Sequence, residues 1–136
     1  MYSLNKLQLK DGLLYTSINL RHEDKCIVVN NVIIDTGAFH TIIAPDFLEE
    51  LDVALSDEDE LVKASGYGGT VSYSVRKKID SIECEDLKIN DIKIDFGEID
   101  PNERVNGLIG LDFLRKAGVI LDLVEGTSII ILVTPA

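Results

Sequence analysis

Apolar and polar residues alternate through most of the chain, in short runs separated by polar turns. Residues 13–20 and 79–96 follow this period of two, which is typical of strands with one buried face. The step Asp11-Gly12 before the first of these runs predicts a tight hairpin. Residues 26–35 are predicted as another strand, and Asn30-Asn31 could form a tight turn inside it.

The other apolar runs predict further strands and two short helices, so the expected fold is mainly β. A helix is predicted over 45–51, because Pro45 suits a first helical position and Asp46 suits the positive end of the helix dipole. A second helix begins near Leu111 and ends before Gly118. The remaining predicted strands cover 2–9, 39–43, 62–65, 70–75, 119–123 and 128–133, and a further short apolar strand ends at Gly110. Turns at Glu85-Asp86 and Asn90-Asp91 divide 79–96.

Composition and charge narrow the class of protein. The chain has 136 residues, of which 46% are hydrophobic, so one domain over residues 1–136 is expected. The formal net charge of -11 argues against nucleic acid and anionic membranes as partners, because both require basic patches. The longest apolar run, 129–133, is too short to span a bilayer, and the N-terminus does not resemble a signal peptide. We therefore expect a cytoplasmic protein that is a free-standing polypeptide.

The cysteines and the acidic run do not predict a metal site or a cofactor. Cys26 and Cys84 stand outside any CxxC or Cys/His cluster, so zinc is not expected and both are predicted as unbridged thiols. The acidic run 56–60 lacks the ligand spacing and central glycine of an EF-hand loop. It is predicted to be a solvated loop.

Three segments carry the candidate chemistry, in a fixed order along the chain. Asp35-Thr36-Gly37-Ala38 follows the β-branched run 32–34, which places a carboxylate at the tip of a buried strand. Gly66-Tyr67-Gly68-Gly69 is the tip of a predicted hairpin, which is either an ordinary turn or a mobile flap. Leu108-Ile109-Gly110 then leads into the second helix.

In this order the three segments resemble the retropepsin-like aspartic proteases, over about residues 13–132. The resemblance implies a single-lobe closed β-barrel in which the first segment carries the catalytic aspartate, the second is the flap and the third crosses behind the aspartate loop. It implies an aspartic endopeptidase that hydrolyses peptide or protein substrates without a cofactor. Two carboxyls held close together cannot both ionise, so they share a proton and activate a water.

Residue by residue, the resemblance assigns Asp35, Thr36 and Gly37 to the catalytic loop. Thr36 would hold this loop to its partner through hydroxyl hydrogen bonds, and Gly37 allows the tight turn. The resemblance assigns these residues to substrate binding: Ala38, Ile42, Tyr67, Gly68, Gly69, Val105 and Leu108. Packing in the core is the alternative explanation for four of them, Ile42, Tyr67, Val105 and Leu108.

A single Asp-Thr-Gly in a chain of this length implies a homodimer with Asp35 of each subunit at the two-fold axis. The terminal strands 2–9 and 128–133 are candidates for the dimer sheet, or else ordinary intramolecular strands. Phe39-His40 stand where viral members have an acidic residue, and Leu111-Asp112 stand where they have an arginine. His40 is interpreted as a polar loop residue rather than an acid–base group.

Two other functions stay open at this stage. A retropepsin-like barrel without catalysis would be a peptide-binding or assembly module, and the missing acidic residue after Ala38 keeps that alternative. In a more remote alternative, Asp35 only caps a turn in a small β-protein of another function. The intact Asp-Thr-Gly-Ala favours the enzyme.

Overall fold

The computed structural model describes residues 2–57, 59–65, 71–84, 87–99, 102 and 104–131. Within these residues the chain forms eleven strands and two short helices. The helices are α1 Asp46–Glu50 and α2 Leu111–Ala117. The strands are β1 Tyr2–Lys6, β2 Gln8–Lys10, β3 Leu13–His22, β4 Lys25–Ile34, β5 Ile42–Ile43, β6 Glu60–Ser65, β7 Val71–Cys84, β8 Leu87–Gly97, β9 Gly107–Ile109, β10 Val119–Asp122 and β11 Thr127–Ile131.

Six of these strands close into a β-barrel, which confirms the predicted fold class. They follow the order β3-β4-β9-β5-β8-β7, and a direct pairing of β3 with β7 closes the ring. Strands β2 and β6 extend the sheet beyond the barrel at its two ends. Most neighbours are antiparallel, but β4 pairs with β9 and β5 pairs with β8 in parallel. Because β4 and β9 run in parallel, their C-terminal ends lie side by side.

The first and last strands form a second sheet within the chain. Its order is β1-β11-β10, with β11 in the middle. The single strand predicted over 2–9 is wrong, because the chain changes partners at Leu7: β1 pairs with β11, whereas β2 pairs with β3. Leu7 is buried, and its N–H donates to the carbonyl of Gly126 at 2.9 Å. Of the predicted strand 128–133, residues 132 and 133 lie outside the described part.

A β-bulge replaces the turn considered at Asn30-Asn31. Opposite β3, the register moves from Thr16↔Val32 to Ile18↔Val29, so β4 carries one extra residue. Asn31 has a φ of 57°, a left-handed conformation that asparagine tolerates. Asn106 donates to both bulge carbonyls, those of Asn30 and Asn31. The bulge therefore bends β4 just before it reaches Asp35.

Two other local predictions differ from the structure. Asn90-Asp91 lies inside β8 and is not a turn, because Ser81↔Asn90 and Ile79↔Ile92 keep one register with β7. The predicted strand 39–43 shrinks to Ile42–Ile43, since the backbone before it bonds to the start of α2 instead. The predicted turn at Glu85-Asp86 lies outside the described residues.

The core fills the inside of the barrel with aliphatic side chains. Ile18, Leu20, Val29, Ile79 and Ile82 come from the long strands and are almost fully buried. Both helices cover this core, α2 through Phe113 and Leu114 and α1 through Phe47 and Leu48. As predicted, α2 ends at a left-handed glycine, Gly118 with a φ of 66°.

Candidate active site

Asp35 stands at the end of β4, on a backbone that β9 holds from one side. The parallel register pairs Ile33 with Leu108 and Ile34 with Ile109. The ladder continues one step further, since the N–H of Asp35 donates to the carbonyl of Ile109 at 2.9 Å. The carboxyl group is therefore presented from the rigid end of a central strand and not from a free loop.

A tight turn follows and orients the carboxylate. The N–H of Gly37 donates to Asp35 Oδ1 at 2.9 Å, and the N–H of Ala38 donates to the Asp35 carbonyl at 3.2 Å. A Cβ atom at Gly37 would lie 3.2 Å from Asp35 Oδ1, which is tighter than an ordinary contact. Asp35 is half-buried, whereas Thr36 and Gly37 are exposed. The structure thus presents Asp35, Thr36 and Gly37 together at the surface.

The chain beyond Asp35 crosses over Gly110. A Cβ atom at Gly110 would lie 2.8 Å from the carbonyl carbon of His40 and 2.9 Å from the carbonyl oxygen of Ala38. These are backbone atoms, so a larger residue has no room. The carbonyl of Ala38 also accepts the N–H of Leu111 at 2.8 Å. Ala38, a predicted substrate-binding residue, is therefore part of this crossing.

Ile42 and Leu108, two of the predicted pocket residues, are direct neighbours on one face of the sheet. They are cross-strand partners, and Leu108 also pairs with Ile33. Alternate residues point into the core, where Val32, Ile43 and Ile109 are at most 1% exposed. Ile42 and Leu108 lie on the opposite face of the sheet and are half-buried. Alternation also places Asp35, two residues beyond Ile33, on that face.

This apolar face continues to the N-terminal hairpin. Tyr15 pairs with Ile33, so Tyr15, Ile33, Leu108 and Ile42 form one row across four strands. Val105, the remaining predicted pocket residue, lines a cavity of about 200 Å³ beside Tyr15. The other residues lining this cavity are Lys10, Asp11, Leu13 and Arg104.

The strands of the predicted hairpin are present as the antiparallel pair β6–β7. Its predicted tip residues Tyr67, Gly68 and Gly69 lie outside the described residues, so its role as a flap stays a prediction. Its base is fixed by Arg76, whose guanidinium donates to both oxygens of Asp95 at 2.7 and 3.1 Å. Glu60 of β6 lies 3.7 Å from the same guanidinium. The Asp95 carboxylate, helped by Glu60, raises the pKa of Arg76 above its ordinary value.

Thr41 and Asp112 are site residues that the sequence did not identify. The Asp112 carboxylate accepts the N–H and the hydroxyl of Thr41, the latter at 2.7 Å. His40 Nδ1 lies 3.9 Å from Asp112 Oδ2. A buried threonine beside an apolar run gives no signal of this contact. Ile33, in contrast, could have been found by counting two residues back from Asp35.

The described residues contain no group of three or more His, Cys, Asp or Glu side chains that could hold a metal ion. In the same part of the chain, no helix has the length and hydropathy needed to cross a bilayer. The acidic run is less solvated than predicted at Asp59, which lies 2.7 Å from Lys77 Nζ and accepts the N–H of Ser56.

Comparison with known proteins agrees with this architecture. The sequence model of a family described as aspartyl protease matches residues 19–113. A retropepsin-like aspartic protease from Rickettsia conorii superposes with a TM-score of 0.67 at 16% identity, covering 96% of this chain and 89% of that one. The retroviral protease-like domain of Ddi1 from Leishmania major gives 0.60 at 16% identity, covering 89% of this chain and 90% of that one.

No curated protein sequence matches the chain. At 16% identity the two solved structures establish a shared fold and not a shared substrate. The family match includes both the Asp35 segment and the Gly110 crossing. The chain therefore belongs to the aspartyl protease family, and its barrel is of the retropepsin-like type.

Proposed function

We propose that the protein is an aspartic endopeptidase that acts as a homodimer. Asp35 of each subunit supplies one of two carboxyls, and a water between them attacks the peptide carbonyl. One carboxylate takes a proton from the water while the protonated partner gives one to the carbonyl oxygen. The observation that supports this proposal is the placement of Asp35, which is anchored to Ile109, oriented by Gly37 and partly exposed to solvent.

The surroundings of Asp35 suit an extended peptide. Ile42 and Leu108 offer half-buried apolar contacts on the face that Asp35 shares, and Val105 lines a cavity at the far side of that face. Apolar pockets with a few polar groups are usual for substrate sites. The β6–β7 hairpin is proposed to cover the substrate from above, with Tyr67, Gly68 and Gly69 at its tip.

The dimer is proposed to form through the sheet of β1, β11 and β10. Strand β10 has β11 on one side and is the last strand of this sheet within the described residues. Ile120 on β10 is 46% exposed, and Leu123 and Val124 after it are 74% and 92% exposed. An open strand edge beside exposed apolar side chains is a favourable surface for a second copy.

A binding module remains the second candidate, because β1 and β11 already pair within one chain. A barrel whose terminal strands are satisfied internally can exist as a monomer, and a monomer has no second Asp35. Sedimentation at micromolar concentration separates the two. A dimer is expected for the peptidase, and a strict monomer would support the module.

The experiment for the enzyme compares the wild type with Asp35→Asn on a mixed peptide library, followed by mass spectrometry. Asparagine keeps the shape of the side chain and cannot exchange the proton, so cleavage should fall by about 10²–10⁴-fold or more. Circular dichroism serves as the control for folding. Equal cleavage by both proteins would refute the proposal.

A further inference from the structure

The loop that carries Asp35 is closed by a polar contact that neither the motif nor the proposed chemistry contains. Thr41 lies six residues after Asp35, and Asp112 lies in the first turn of α2. We propose that Thr41 and Asp112 are positioning residues, whose contact fixes the orientation of the Asp35 carboxyl group. This inference rests on the proposed function, because it assigns a role within that active site.

The Thr41 hydroxyl connects two separate parts of the chain. It accepts the N–H of Gly110 at 3.1 Å and donates to Asp112 Oδ1 at 2.7 Å. The N–H of Thr41 donates to the same carboxylate at 3.0 Å. Thr41 is fully buried and the Asp112 side chain is only 19% exposed. Hydrogen bonds to a charged group with little water around it are among the stronger ones in proteins.

These bonds complete a ring around the catalytic turn. At one end of the loop, Asp35 donates to the carbonyl of Ile109 at 2.9 Å. At the other end, Thr41 is hydrogen-bonded to Gly110 and Asp112, which lie one and three residues after Ile109. Between them, the N–H of Asp112 donates to the carbonyl of Phe39 at 3.0 Å. The loop is therefore held at its start, middle and end by one short segment.

Two further side chains, His40 and Arg76, interact with Asp112. His40 Nδ1 lies 3.9 Å from it, and the Asp112 charge makes a minor contribution, after Asp95 and Glu60, to raising the pKa of Arg76. Asp95 supports the loop from behind, since its N–H donates to the carbonyl of Thr41 at 3.0 Å. Asp95 thus links Arg76, at the base of the β6–β7 hairpin, to the loop that carries Asp35.

A purely local role for Asp112 is the competing explanation. Its Oδ1 also accepts the N–H of Phe113 at 2.7 Å, so the carboxylate contributes to the first turn of α2. If that were its whole role, removing the Thr41 hydroxyl would leave the catalytic rate per folded molecule unchanged. The Thr41 side chain is therefore the more decisive one to change.

The experiment compares Thr41→Val, which keeps the shape, with Thr41→Ser, which keeps the hydroxyl. The matched control is Asp46→Asn, because Asp46 is an exposed acid in the first turn of α1. We expect Thr41→Val to lower kcat by about 10- to 100-fold with KM within about twofold, because small misplacements of a reacting group are costly. Thr41→Ser and Asp46→Asn should stay within about threefold of the wild type.

Rates are normalised to the folded fraction, so that a loss of stability is not counted as a loss of positioning. A kcat of Thr41→Val within twofold of the wild type would overturn the inference. The same would follow if Thr41→Ser were as slow as Thr41→Val, because the hydroxyl would then be irrelevant.

Amide hydrogen exchange separates a failure of this inference from a failure of the proposed function. The Gly37 N–H donates to Asp35 Oδ1, so its exchange reports how firmly the carboxylate is held. Even if the wild type cleaves no peptide, Thr41→Val should exchange the Gly37 and Gly110 amides about 10-fold faster than Asp46→Asn does. Equal exchange in these two variants would refute the positioning role.

Discussion

The crossing at Gly110 and the terminal sheet, formed by β1, β11 and β10, are two regions of opposite character in this small protein. At the crossing, the backbone of residues 35–41 binds residues 109–112 through a dense set of hydrogen bonds, and Gly110 leaves no spare volume. In the terminal sheet, β10 has a partner on one side within the described residues, and Ile120 is exposed beside it.

The difference matches what the proposed dimeric site requires. A catalytic carboxyl must be held within a fraction of an ångström, so its support comes from the same chain and is fully bonded. In the proposed dimer the second carboxyl comes from another molecule, and the edge of β10 is the surface proposed to recruit it.

The largest effect on stability is expected from Arg76→Met, behind the crossing. Asp95 is 6% exposed, and its N–H supports the carbonyl of Thr41. Removing the guanidinium leaves this carboxylate buried without its cation, so the free energy of unfolding should fall by about 3–5 kcal/mol. Lys93→Met is the control, since Lys93 and Glu60 form an exposed pair worth about 0–1 kcal/mol. Urea denaturation measures both, and equal losses would contradict the argument.

Gly110→Ala is expected to have the next largest effect. Overpacking should lower its free energy of unfolding by about 1–3 kcal/mol. The added methyl would meet the backbone of Ala38 and His40, so the crossing must open and peptidase activity should fall at least about 10²-fold. Gly12→Ala is the control: its Cβ meets nothing within 4 Å, although a φ of 77° makes the substitution strained. Thermal unfolding and peptide cleavage together test this. A Gly110→Ala protein with normal activity would show that the crossing tolerates a side chain.

How far the sequence predicts this molecule depends on whether a feature is local. Hairpins, helix ends and the Asp35 segment follow from residue types, as the left-handed Gly12 and Gly118 show. The bulge at Asn31 and the change of strand partner at Leu7 could not be predicted from the sequence, because both depend on which strand lies opposite. The contact between Thr41 and Asp112 spans 71 residues and has no local signature.

In the terminal sheet, Ile120→Asp should weaken dimerisation without unfolding the barrel. A charge on the open side of β10 is costly only when a second copy covers it, so the dissociation constant should rise by about 10-fold or more. Val28→Asp is the matched control, because Val28 is also an exposed apolar residue on a strand, with 57% exposure. Sedimentation equilibrium measures the dissociation constants of both variants. An unchanged dimer in Ile120→Asp would place the interface elsewhere.

The smallest effect is expected at Asp59, away from both regions. The hydrogen bond from Lys77 holds the pKa of Asp59 below its ordinary value of 3.8. Because the folded pKa is the lower one, the charged carboxylate adds stability above about pH 4, and that contribution is lost as the pH falls through the folded value. Asp59→Asn should therefore flatten the acid limb of the stability profile. An unchanged slope between about pH 5 and pH 2, the range in which carboxylates titrate, would contradict it.

Subunit mixing tests whether one chain supplies only half of an active site. Wild-type protein is incubated to exchange equilibrium with a ninefold excess of Asp35→Asn, at substrate concentrations well below KM. If two Asp35 carboxyls are needed, random pairing leaves about one tenth of the wild-type chains in active dimers. The double variant Asp35→Asn/Ile120→Asp, whose pairing should be weaker by about 10-fold or more, is the control. We predict that peptidase activity falls to about one tenth with the single variant and stays at about half or more with the double variant. Unchanged activity in both mixtures would contradict the proposed dimer.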